Sequence, residues 1–181
     1  FHFYDSLQSD LLRWAPSLKS NVIWNNSEYF EKLICTKLQP FHPITIAVLS
    51  RIADYTQKRG PMMIMRDLLN DYSEYEITDA SNIPPVSVFN TSFYTDVLKM
   101  ERDGLVSSDN FTLYDHLVRQ PKIERNLTAE DKSFLQGLVL INLLDLKPRS
   151  TEDYVDLLTN LTDFDKSRIK KITYRLEYDL G

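Results

Sequence analysis

The sequence predicts a mainly α fold, and three observations carry that expectation. Apolar residues recur at spacings of three and four through most of the chain, the period that lines one face of a helix. Prolines and short polar capping residues interrupt those runs at helix-length intervals. Only four glycines are present, too few for a loop-dominated all-β design or a glycine-rich phosphate loop.

Residues 3 to 14 place Tyr4, Leu7, Leu11 and Trp14 on one face of a helix that Pro16 ends. Asn26 or Ser27 is expected to cap a second helix, through Tyr29, Phe30, Leu33, Ile34 and Leu38 to Pro40. Pro43 suits a first helical position, where its missing N–H costs nothing, and Ile46, Leu49, Ile52 and Ala53 follow at helical spacing. Gly60 is expected to stop that helix and Pro61 to open the next, with Arg59 held at the corner. Ser73 to Pro85 reads as a polar loop, and Val86-Ser-Val-Phe89 as a short strand or extended segment. Thr91 or Ser92 caps a helix that Gly104 stops, and Thr112 to Arg119 forms a shorter one closed by Pro121.

The polar stretch from Pro121 to Asn126 divides the chain into expected domains 1–121 and 122–181. In the second, Thr128-Ala-Glu-Asp131 opens an apolar helix running to Leu144. Thr151 is expected to cap a short helix, and Asp163 a longer one from Phe164 to Tyr178. Long helix, turn, short helix, turn, long helix is the order of a helix-turn-helix or winged-helix core, whose wing would require a hairpin after Gly181.

A chain of 181 residues accommodates one large domain or two small ones, and a formal charge of −5 gives no global attraction to nucleic acid or anionic membranes. Cys35 is the single cysteine, which rules out an internal disulfide and a zinc–thiolate site. Its apolar neighbours mark it as a core residue, and a reduced, cytoplasmic setting is the expectation. No apolar run approaches the ~18 residues of a membrane span, and no signal peptide is visible. Five N-x-S/T sequons, at Asn25, Asn90, Asn110, Asn126 and Asn160, are read as chance occurrences and helix starts. Because the chain begins at Phe1 rather than Met, it is taken as a piece of something longer.

Phe41-His-Pro-Ile-Thr45, the apolar helix behind it and Gln57-Lys-Arg-Gly60 resemble a segment of large bacterial AAA+-like P-loop ATPases of phage-defence systems, including BREX-type ATPases. The resemblance implies a helical lid-like bundle followed by a winged-helix-like part, from a parent protein that binds ATP and Mg²⁺. Neither Walker element is present here, so the fragment alone would bind no cofactor and hydrolyse no ATP. The implied partners are the rest of the parent ATPase and a further protein, with DNA as the alternative and no membrane.

The same resemblance makes Arg59 a candidate nucleotide-sensing residue, with Arg66 as a second. The plainer reading is an exposed arginine favoured by a helix C-terminus and, for Arg66, a solvated helix face. His42, His2 and His116 are isolated, so a structural role, a helix-start brace in the case of His42, is expected rather than metal binding. The Met62-Met63-Met65 cluster reads as core or as a packing face. On the last helix, Arg168, Lys171 and Arg175 form a basic stripe, with Lys166 and Lys170 adding to the field, while Ile169, Ile172 and Leu176 form the apolar stripe beside it. A basic stripe of this kind faces phosphate in a DNA-binding helix. The surrounding Asp163, Asp165, Glu177 and Asp179 favour the solvated face of a protein-interaction module instead. No nucleophile–base pattern is recognisable, and Glu130-Asp131 and Glu152-Asp153 are explained by first helical turns.

Overall fold

The computed structural model describes residues 2–53, 59–73, 83–106, 108–124 and 126–180, and they are mainly helical. Helix α1 (His2–Trp14) buries Leu7, Leu11 and Trp14 along one side. A 3₁₀ turn (Pro16–Ser20) leads to two short helices, α2 (Val22–Asn25) and α3 (Ser27–Tyr29). Asn21 caps the first through Ile23 N and Asn26 caps the second through Tyr29 N. The chain then winds into a π-helical stretch, Phe30–Thr36, in place of the expected α-helix. Phe30, Ile34 and Cys35 turn inward there, whereas Tyr29, expected on the apolar face, is exposed.

Helix α4 (Pro43–Ala53) starts where the proline predicts. Its N-cap is His42, whose Nδ1 accepts a 3.1 Å hydrogen bond from Ile44 N. Helix α5 (Arg59–Asp71) corrects the expected corner: Arg59 and Gly60 both lie in its first turn, and Pro61 follows inside the same helix. Residues 54–58 lie outside the described residues, as does most of the expected loop from Ser73 to Pro85. Ile64 and Leu68 carry the core contact of α5, while Met62 and Met63 face outward.

Val86-Ser-Val-Phe89 is not a strand. It belongs to a 3₁₀ turn, Pro85–Asn90, in which Val86, Val88 and Phe89 are buried. Pro84 and Pro85 account for the difference, since two fixed φ angles favour the tight turn and remove ladder donors. Among the described residues the only β-type pairing is an isolated bridge between Phe41 and Ile83.

Thr91 then caps α6 (Ser92–Arg102), and Gly104 takes the left-handed conformation, φ 70°, just past its end. Helix α7 (Asn110–Val118) has no cap from its own preceding residue Asp109. The buried Glu101 of α6 supplies it, accepting from Phe111 N at 3.2 Å, Thr112 N at 2.8 Å and Thr112 Oγ1 at 3.1 Å. The polar Pro121 stretch holds one turn of helix, α8 (Pro121–Glu124).

Three helices complete the chain: α9 (Ala129–Leu143), α10 (Thr151–Thr162) and α11 (Lys166–Leu180). The buried apolar side chains on both sides of residue 121 form one cluster. Several polar contacts also cross it. Lys147 N donates to Trp14 O at 2.7 Å, Arg13 pairs with Asp153 at 2.9 Å, and Gln136 Nε2 donates to Tyr114 Oη at 2.9 Å. Among the described residues no helix is long and apolar enough to cross a membrane.

Candidate functional site

The last three helices are set by their caps. Thr128 and Asp131 form a reciprocal capping box at the start of α9, with Asp131 N donating to Thr128 Oγ1 and Thr128 N donating to Asp131 Oδ2. Ser150, one residue earlier than expected, caps α10 by accepting from Asp153 N, while Arg149 N donates back to Asp153 Oδ2. That backbone donor, together with Trp14 and Arg13, outweighs partial burial and holds the Asp153 carboxyl below its ordinary value.

Asp163 is not the cap of α11. It closes α10 in the left-handed region at φ 62°, and Asp165 caps α11 by accepting from Arg168 N at 2.8 Å. An aspartate tolerates that conformation better than a branched residue would. Three residues, Asp163 to Asp165, therefore connect α10 to α11. Gly137 of α9 faces α10 so closely that a Cβ there would stand 2.9 Å from Leu158 Cδ2.

Three of the five cations expected to face a nucleic acid are committed within the fold. Arg168 pairs with Glu130 and Arg175 with Asp131, tying α11 to the first turn of α9, and Lys166 pairs with Asp156 of α10. Arg168 also lies over the Phe164 ring, 5.1 Å from its centroid. Its hydrogen bond holds the Glu130 carboxyl below its ordinary value, and the Asp156 carboxylate raises the Lys166 ammonium. Lys170 and Lys171 are exposed and have no ion pair among the described residues. The pairing of Arg175 with a carboxylate 44 positions away is invisible to a local reading of the sequence. A cleft of about 430 Å³ runs past Glu130, Arg168, Lys171 and Arg175. A second, more apolar groove of about 500 Å³ lies among Phe134, Leu138, Tyr154, Val155, Leu158 and Leu176.

Comparisons with models of known protein families, with curated proteins and with solved structures found no match to this chain.

The two nucleotide-sensing candidates both lie on α5. Arg59 begins α5, and its side chain lies outside the described residues. Arg66 is exposed and pairs with its neighbour Asp67 at 2.9 Å, which is the geometry of a solvated helix face. The chain has no G-x-x-x-x-G-K-[ST] run, and among the described residues no three His, Cys, Asp or Glu side chains gather to hold a metal. Cys35 is buried, and that burial, aided by the Glu31 charge, pushes its thiol up to about 12, far from a nucleophile's range.

His42 is the residue whose position the sequence signalled and whose partner it did not. It is buried at the start of α4, and burial lowers its pKa to about 4 against the opposing effect of a hydrogen bond to the Asn160 side chain. Since Nδ1 accepts from Ile44 N, the neutral ring carries its proton on Nε2.

Proposed function

We propose that this chain is a non-catalytic part of a bacterial P-loop ATPase, in which a helical lid couples nucleotide state to a C-terminal interaction module. In this reading α4 and α5 belong to the lid, and α9, α10 and α11 form a helix-turn-helix core of winged-helix type. The observation that supports coupling is a path of packing: α4 packs on the 3₁₀ turn Pro85–Asn90, and that turn packs on both α9 and α10. A displacement of α4 is then transmitted through a shared apolar core rather than absorbed at a linker.

ATP turnover by the intact parent protein tests this. Arg59→Ala is expected to lower turnover at least tenfold while nucleotide binding is kept, within the ~10³-fold or greater reach of an arginine that stabilises phosphoryl transfer. Unchanged binding and turnover would remove Arg59 from the mechanism.

A second reading, a stand-alone DNA-binding or adaptor protein, draws on the three-residue connection and left-handed Asp163 between α10 and α11. It requires salt-dependent duplex binding that collapses when Arg168, Lys171 and Arg175 are neutralised. The internal pairing of Arg168 and Arg175 weighs against it.

A further inference from the structure

The ion pairs of α11 leave a different face of that helix open. Ser167, Lys170, Lys171, Tyr174 and Tyr178 are all exposed, and their spacings place them on one outward stripe opposite the buried Ile169 and Ile172. The two tyrosines are 74% and 82% exposed, the most exposed of the large hydrophobic side chains described. Lys170 and Lys171 flank Tyr174 on either side, and neither is neutralised by an ion pair among the described residues.

We infer that this face of α11 binds a single-stranded nucleic acid, with Tyr174 and Tyr178 stacking on bases and Lys170 and Lys171 holding the phosphates. Two features favour that occupant over a protein. The tyrosines stand among Ser167 and the two lysines, with the exposed Glu177 at one margin, rather than within a contiguous apolar patch, as the core of a protein interface requires. The ligand that fits must offer both negative charge and flat aromatic surface at short intervals, and a single strand with unstacked bases does so. From Ser167 to Tyr178 the stripe is about 16 Å long, enough for a few nucleotides. A duplex hides its base faces and would use only the lysines. The inference stands on exposure, charge and helical spacing, and it does not require the ATPase reading.

Fluorescence anisotropy of a labelled oligothymidylate, titrated with the 181-residue chain at low salt, tests it. The expected result is binding that Tyr174→Ala and Tyr178→Ala each weaken by about fivefold or more, the range of one lost base–aromatic stack. Lys170→Gln with Lys171→Gln should flatten the log–log salt dependence by about 1.4, at ~0.7 per phosphate contact. All four side chains are exposed, so circular dichroism and the urea midpoint should be unchanged. Absence of binding by the unaltered chain would overturn the inference, and so would binding indifferent to the tyrosine changes. If Tyr174→Ala and Tyr178→Ala abolish capture of a protein by a chain that binds no oligonucleotide, the face is a protein surface and the inference falls.

Discussion

Arg175 of α11 donates to Asp131, a carboxylate only 1% exposed that also caps α9. One buried acid thus serves the start of one helix and the middle of another. Arg175→Gln leaves Asp131 its bonds from Thr128 but deprives Oδ1 of a charged donor, at a cost of about 1–3 kcal/mol. Asp131→Ala removes the capping box as well, worth roughly another 1 kcal/mol. Urea unfolding of both variants and of the double variant measures the coupling between the two residues.

Neutralising Arg168 and Arg175 together is expected to lower the urea midpoint and to change duplex DNA binding little. The acids Glu130 and Asp131 already occupy these guanidinium groups, so few phosphate contacts are lost. A titration of labelled duplex against both proteins checks it. Duplex binding that collapses with stability intact would reverse the assignment.

His42 makes stability depend on pH in a defined direction. Its pKa in the fold is about 4 against an ordinary 6.5, so folding favours the neutral ring. That contribution is complete above pH 6.5 and is lost as the pH falls toward 4, because the unfolded chain takes up the proton first. Between pH 7 and pH 4.5 the loss is about 2–3 kcal/mol, at ~1.4 kcal/mol per pH unit. His42→Asn keeps an N-cap acceptor for Ile44 N and removes the titration. Urea midpoints of both proteins at the two pH values should show a smaller acid loss in the variant.

Glu101 caps α7 from the neighbouring helix and also accepts from Ser108 Oγ at 2.6 Å. Glu101→Ala leaves the Phe111 and Thr112 amides without their acceptor at the base of the aromatic cluster of Phe89, Phe93 and Phe111. The expected cost is about 3 kcal/mol, seen as a lower thermal midpoint with loss of near-ultraviolet dichroism.

Gly137→Val should destabilise by about 1–3 kcal/mol, because the added side chain meets Leu158 where α9 and α10 cross. Leu158→Ala in the same chain should recover part of the loss, which thermal unfolding of the two variants would show.

What the sequence made legible was local. Pro43 marked the start of α4 and Thr128 with Asp131 marked that of α9, because proline geometry and a capping box act within four residues. The π-helical stretch at Phe30–Thr36 was hidden, since its inward residues also satisfy an α-helical pattern. Val86 and Val88 looked like a strand because alternation in so short a run does not distinguish a strand from a buried 3₁₀ turn. The basic stripe was legible as a stripe. Its neutralisation was not, because Glu130 and Asp131 reach α11 only through tertiary packing.

Reading the coding frame upstream of Phe1 tests the proposed function most directly. The expected result is a G-x-x-x-x-G-K-[ST] motif, a run absent from these 181 residues, within a few hundred residues upstream. A frame that opens just before Phe1 would contradict it and leave the α9–α11 unit to act without an ATPase core.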